Sequence, residues 1–203
     1  MNTSIDERRS ALADRFATWT PRTLDAWLDA CAADHPDRDL VVTDERTLSY
    51  GDVAEQSRRI ADGLAALGVR KGDRVGLLMA NYAEFVTLKF AIARTGAVAI
   101  PFNFLYRTDE LRYVLKQSDC KVLITNAGFS LANGQSLDHA GMLDEIVPGW
   151  DTPEFSGRAE VGGDAPDGLR HVVLVERPEL PTRPGALTGT ALAELGAKYP
   201  GAS

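Results

Sequence analysis

The stretch VGLLMANYAEF, residues 75–85, runs from an unbroken apolar segment through an asparagine into a helical pattern. An apolar run without alternation suits a strand covered on both faces. A helix directly after it suits a crossover to a parallel neighbour. In nucleotide-binding folds this strand-to-helix turn carries glycines, which let backbone N–H groups close on a phosphate. Here it carries none. Asn81 precedes Glu84 by three residues, a spacing in which an Asn side chain accepts from the free amides of the first turn and a Glu reaches back to the cap's own N–H. The sequence therefore predicts a helix cap at Asn81 rather than a ligand contact.

The same alternation continues outward. RVGLLM, AVAIPF, KVLIT and HVVLV are apolar throughout. Helical patterns lie between them: one over about 82–95, closed by Gly96, and one opened by Thr108, Asp109 and Glu110. The first is apolar on most of its circumference, which predicts a helix sandwiched between layers. Upstream, TLDAWLDACAAD places Leu24, Trp27, Leu28 and Cys31 on one stripe, and LVVTDERTLSY reads as a hairpin around an Asp-Glu turn. Ser49 with Asp52 three residues on predicts a capping box. The helix it opens has a core face of Val53, Ile60, Leu64 and Leu67, and Gly68 stops it. The fold class that follows is α/β, a mostly parallel sheet flanked by helices on both faces.

Three segments stand apart from this pattern. Residues 1–20 read as an N-terminal extension. Residues 126–169 read as a loop-rich insertion with one short helix near 138–147, and residues 176–203 as a linker-like tail with one weak helix at most. Within the tail, LTGTALAELGAK has a Thr-Gly-Thr and a distant lysine, but Leu192, Glu194 and Leu195 stand where a phosphate loop needs glycines. No GxGxxG follows any strand, and no GxxxxGK[ST] occurs.

Composition excludes further classes. With 29 acidic against 22 basic residues and a formal charge of −7, the chain lacks the cationic surface that nucleic acid requires. Cys31 and Cys120 have no CxxC spacing, and His35, His139 and His171 lie alone, so there is no zinc pattern. The most apolar part, residues 74–102, is interrupted by Asn81, Glu84, Lys89 and Arg94, which excludes a membrane span there. These features predict a soluble cytoplasmic protein with two buried thiols.

Five pieces in this order and spacing carry a resemblance: TLSYGDV (47–53), GVRKGDRV (68–75), NYAEF (81–85), ARTGAVAIPFN (93–103) and DELRYVLKQSDCKVLIT (109–125). Together they resemble the N-terminal part of AMP-forming acyl-CoA synthetases, members of the adenylate-forming superfamily. Residues 23–125 carry the likeness, and it continues more weakly through LRHVVLV. NFLYRTDEL is most similar to bacterial fatty-acyl and related ligases. The resemblance implies a reaction in two steps. A small-molecule carboxylate attacks the α-phosphate of ATP, with Mg²⁺, to give acyl-AMP and pyrophosphate; the thiol of coenzyme A then displaces AMP. In that family the work falls to a Ser/Thr/Gly-rich loop ending in lysine, an adenine and ribose site, and a catalytic lysine in a small C-terminal domain. None of these is present in the 203 residues.

The expectation is therefore an N-terminal subdomain with no catalytic residue of its own. Its partners would be the rest of the synthetase, a second large subdomain and the C-terminal domain, and nucleotide would not bind it tightly. Arg107 is the one candidate ligand contact. In the family, a basic residue in the loop after P-x-N meets a phosphate of coenzyme A, although Phe104 stands here where proline often follows the asparagine. The resemblance further implies an uncovered apolar surface around Phe85, Phe90, Phe102, Phe104 and Tyr106. A stand-alone module that pairs with a separately encoded remainder is the alternative. An unrelated Rossmann-like binding domain is disfavoured by the missing glycine fingerprint.

Overall fold

The computed structural model describes residues 4–15, 22–130, 134, 136–155 and 168–203. In chain order the elements are α1 (Ile5–Arg15), α2 (Leu24–Asp34), β1 (Asp39–Val42), β2 (Thr47–Ser49), α3 (Tyr50–Ala66), β3 (Arg74–Leu78), α4 (Ala83–Arg94), β4 (Val98–Pro101), α5 (Thr108–Ser118), β5 (Val122–Thr125), β6 (Phe129–Ser130), β7 (Ser136–Leu137), α6 (His139–Ile146), β8 (His171–Leu174), β9 (Leu187–Thr188) and α7 (Gly189–Lys198). The central sheet has five strands in the order β4-β3-β5-β8-β9, and every pairing in it is parallel. β1 and β2 form the expected antiparallel hairpin, and β6 and β7 form a second one.

Side chains of successive strand residues point to opposite faces, so each apolar run supplies two cores. Val75, Leu77, Val122, Ile124 and Val173 face Leu64 of α3, Leu88 and Ile92 of α4 and Leu192 of α7. Leu78, Leu123, Val172 and Leu174 face Leu111 and Leu115 of α5, Leu143 and Ile146 of α6, and Trp150 and Phe155. The fold is thus doubly wound, as the apolar runs predicted. α4 is sandwiched as expected. Its Leu88 and Ile92 meet the sheet, while Ala83, Val86 and Phe90 meet Leu28 of α2 and Val41 and Leu48 of the hairpin. Arg94 fastens these layers, with both guanidinium nitrogens on the Asp29 carboxylate of α2 and Nε on Ser57 of α3.

The capping box at α3 forms as expected: Ser49 accepts from the Asp52 N–H, and Asp52 accepts from the Ser49 N–H. Gly68 and Gly96 both sit at positive φ directly after their helices, the conformation an L side chain resists.

Other expectations are corrected. Asn81 is exposed and caps nothing. The backbone stays extended through Tyr82, which is the N-cap of α4 and makes no side-chain cap bond. The helix therefore begins too late for Asn81 to reach its amides, and Glu84 turns instead to Arg46 and Arg177. On α2 only Leu28 is buried; Leu24 is 61% exposed, because the hairpin and α4 cover just one edge of that stripe. The five aromatic residues expected on an uncovered surface are not exposed. Phe102 is 7% accessible and lies over Gly76, where a Cβ would come 2.4 Å from its ring. Phe85, Phe90, Phe104 and Tyr106 are half-buried.

Residues 137–155 contribute Leu137, Ala140, Leu143, Ile146, Val147, Trp150 and Phe155 to the core, with α6 capped by the Asp138 side chain. Of the expected loop, residues 131–133, 135 and 156–167 lie outside the described residues, as do residues 1–3 and 16–21. α1, within the expected extension, buries nothing. In the tail, β9 adds the fifth strand and α7 packs on α3, with Thr188 capping it. No helix among the described residues is long and apolar enough to cross a membrane.

Two buried histidines give stability a pH dependence. Burial holds the imidazoles of His139 and His171 below their ordinary value, so the folded chain keeps them neutral. An unfolded chain takes up these protons near pH 6.5, so below that pH the unfolded state binds more protons and stability falls as pH falls. Asp29, held down first by its Arg94 hydrogen bond, and Asp52, held down by Ser49, act with the same sign only near and below about pH 4. The urea midpoint is therefore expected to be lower at pH 5.5 than at 7.5. Replacing both histidines by glutamine should flatten that difference.

Candidate functional site

β3 has β4 on one side and β5 on the other. The chain leaves β3 through α4 on one face and returns from β4 through α5 on the opposite face, so the connections diverge between β3 and β5. In open α/β sheets the carboxyl edge at such a point is where ligands bind. Here it collects Tyr82 after β3, the loop 102–107 after β4, Asn126 after β5, Arg177 after β8 and His139 at the start of α6.

Arg177 organises this edge. Its side chain is 6% accessible and pairs with Glu45 of the hairpin turn, with Glu179 at 2.6 Å and with Glu84 of α4 at 3.6 Å. Its guanidinium carbon lies 3.9 Å from the centre of the Tyr82 ring. Burial alone would ease its proton away, but the Glu45 and Glu179 carboxylates outweigh that and raise its pKa above the ordinary arginine value. Burial also raises the Tyr82 phenol. One cation thus ties together the hairpin, the start of α4 and the segment after β8. Sequence spacing gives no sign of it, since Glu45 and Arg177 are 132 residues apart.

Among the described residues, five buried side-chain polar atoms have no hydrogen-bond partner: Glu84 Oε2, Thr87 Oγ1, both amide atoms of Asn126 and His139 Nδ1. All lie at or near this carboxyl edge. The Tyr82 hydroxyl is close enough to Asn126 to affect its own ionisation, but not in hydrogen-bond geometry with the amide. Between α3, α4, α7 and the sheet, a cavity of about 270 Å³ is lined by Ile60, Leu88, Ile124 and Val173 and by Arg46, Glu84, Glu176 and Thr190. Two carboxylates against one arginine give it no preference for phosphate. The Thr-Gly-Thr turn at the head of α7 already receives a carboxylate, as Glu176 accepts from the Thr190 N–H and hydroxyl.

Arg107 is exposed at the N-cap of α5, its N–H donating to Glu110 Oε2 at 2.9 Å. The loop before it is closely tied. Asn103 Oδ1 accepts from the Leu105 N–H at 3.0 Å, the Phe104 ring meets Phe129 edge-on with centres 4.9 Å apart, and the Phe104 carbonyl accepts from His139 Nε2 at 2.9 Å. Cys31 and Cys120 are both free thiols. No group of three His, Cys, Asp or Glu side chains among the described residues could hold a metal ion. The turn after β3 contains no glycine, so it lacks the close backbone approach by which glycine-rich loops hold phosphate. Among the described residues, this edge brings together a buried arginine, three carboxylates and a buried histidine, with Arg107 exposed on the loop beside them.

Residues 28–178 match the model of the AMP-binding enzyme family. The chain belongs to that family. It is 39% identical over 75 residues, 37% of its length, to the acyl-CoA ligase sidI of Aspergillus fumigatus, and covers 13% of that relative. To the mitochondrial medium-chain acyl-CoA ligase of Pongo abelii it is 28% identical over 173 residues, 84% of the chain and 26% of the relative. The structure resembles that of the Mycobacterium tuberculosis fatty acyl CoA synthetase with a TM-score of 0.62 and 26% identity, covering 89% of this chain and 29% of that one. The chain spans 13 to 26% of the length of the curated relatives named here, and they match it as the N-terminal portion of an acyl-CoA or related adenylate-forming ligase.

Proposed function

We propose that these 203 residues are the N-terminal scaffold of an ATP-dependent, AMP-forming acyl-CoA synthetase that activates a fatty or similarly apolar acid. The acid would be converted to acyl-AMP and passed to coenzyme A. The observation that carries this reading is the match of residues 28–178 to the family, joined to relatives several times longer than the chain. Two of the relatives named above, a medium-chain acyl-CoA ligase and a fatty acyl CoA synthetase, bear names that point to an apolar acyl group. Free Cys31 and Cys120 agree with a reducing compartment such as the cytoplasm.

In this reading ATP, Mg²⁺ and the chemistry belong to the second large subdomain and the C-terminal domain. The scaffold supplies Arg107 to a phosphate of coenzyme A. Its exposure and charge suit that role, and a rim contact of this kind is worth about 1 kcal/mol. In the complete ligase, Arg107→Ala is therefore expected to raise KM for coenzyme A roughly fivefold. Carboxylate-dependent exchange of pyrophosphate into ATP should stay unchanged. An unaltered KM removes the assignment, and absence of any carboxylate-dependent exchange by the complete protein removes the reading as a whole.

One observation favours a second reading, a stand-alone module that pairs with a separately encoded remainder. Of the aromatic residues expected on an uncovered interface, Phe102 is folded inward at 7% accessibility and the other four are half-buried. A monomeric chain that unfolds cooperatively and binds no hydrophobic dye would support it; self-association and dye binding would count against it.

A further inference from the structure

We propose that His139 is a positioning residue for the loop 102–107: it donates from Nε2 to the Phe104 carbonyl, 2.9 Å away, and so fixes where the loop presents Arg107. The functional part of this inference rests on Arg107 meeting coenzyme A.

Phe102, Phe104 and Tyr106 make apolar contacts beyond the loop, but most of its hydrogen bonds are local. Asn103 bonds to Leu105 through its side chain, the Tyr106 N–H donates to the Asn103 carbonyl, and the Arg107 N–H donates to Glu110. Such bonds set the loop's shape without setting its place on the sheet. The Phe102 N–H, bonded to the Leu77 carbonyl at 2.9 Å, anchors only the beginning. His139 reaches the middle of the loop from α6, 35 residues away in the chain, on the far side of β5 in sequence.

The chemistry of the position supports the assignment. A carbonyl can only accept, so Nε2 carries the proton. Burial keeps the ring neutral against the smaller opposing pulls of the Phe104 and Asn126 carbonyls and of Asp138, which leaves Nδ1 as a bare acceptor. That nitrogen is buried and has no partner. The side chain is fully buried, and a buried polar atom left unpaired is costly. An apolar side chain would fill this space without that cost, so packing alone does not account for an imidazole. What the imidazole adds is the bond to the loop.

The test uses the 203-residue chain with nitrogen-15-labelled histidine, and the His139→Leu and His139→Gln variants. In the unaltered chain the ring is expected to be neutral and protonated at Nε2. In His139→Leu, which keeps apolar volume but has no donor, the Leu105 and Tyr106 amides should exchange with solvent roughly tenfold faster, with β5 and β8 unchanged. His139→Gln, which retains a donor, should restore much of the protection. A ring protonated at Nδ1, or equal loop exchange in His139→Leu and the unaltered chain, overturns the proposal. In the complete ligase, His139→Leu should raise KM for coenzyme A roughly three- to tenfold while pyrophosphate exchange holds steady, and His139→Gln should recover it. If Arg107→Ala raises KM but His139→Leu does not, the positioning role fails. If neither raises KM although the loop loosens, the anchoring stands and the Arg107 reading fails.

Discussion

Trp150→Ala is expected to destabilise the chain by about 3–5 kcal/mol, the cost of deleting a large aromatic side chain from a packed core. Trp150 is 2% accessible and packs in the cluster of Leu143, Ile146 and Phe155 against the α5 side of the sheet. Its indole N–H donates to Asp144 Oδ1 at 2.9 Å, and Arg183, itself paired with Asp144 at 2.7 Å, lies over the ring with 5.9 Å between its guanidinium carbon and the ring centre. The deletion therefore opens a cavity and leaves a carboxylate oxygen without its donor. Trp150→Phe keeps most of the volume and should cost about 1–2 kcal/mol, chiefly for the lost hydrogen bond. Urea denaturation measures both. A loss below about 1 kcal/mol for Trp150→Ala would mean that residues 137–155 are a surface insertion rather than part of the core.

Gly196→Ala should cost about 2 kcal/mol or more, although alanine is the better helix former by about 1 kcal/mol. A Cβ at Gly196 would lie 1.8 Å from the Arg59 carbonyl oxygen and 2.8 Å from the Gly63 nitrogen. Both are backbone atoms of α3 and cannot rotate away. Gly63 faces the same contact, with its Cβ 2.2 Å from the Leu192 carbonyl oxygen. Two glycines thus let α3 and α7 touch along their backbones, and a methyl group must push the helices apart. Separation would loosen Leu192 from Leu64 and Val173 and disturb the end of the chain, where the Gly201 and Ser203 N–H groups donate to Asp62 at 3.0 Å. Overpacking of this kind costs about 1–3 kcal/mol and sometimes more. A rise in stability, the usual result of Gly→Ala in a helix with room, would show that the two helices do not meet this way.

Much of the fold was legible because its signals are local. Four of the five parallel strands are apolar runs, and the capping box at Ser49 and the positive-φ glycines 68 and 96 mark helix ends by short-range chemistry. β9 was not legible: it is two residues long, and its pairing with Val173 and Leu174 and the packing of Leu187 on the core are both tertiary. Asn81 was misread because the right residue types stood at the right spacing, but the backbone remained extended for one residue more. The inward turn of Phe102 depends on Gly76 from a neighbouring strand, a tertiary fact with no local trace. The site was less legible still. Arg177 takes its partners from β1–β2, α4 and the loop after β8, and His139 gains its meaning from a carbonyl 35 residues away. Arg107 is proposed only through the family motif around it, because an exposed arginine before a helix carries no signal of its own.

The central claim is that these residues form the scaffold of a ligase and do not themselves build its nucleotide site. Titration calorimetry of the 203-residue chain with ATP and Mg²⁺, paired with a pyrophosphate-exchange assay on a fatty acid, tests it most directly. The account predicts no binding in the micromolar range and no carboxylate-dependent exchange. Micromolar binding of ATP, or exchange that depends on the acid, would contradict it.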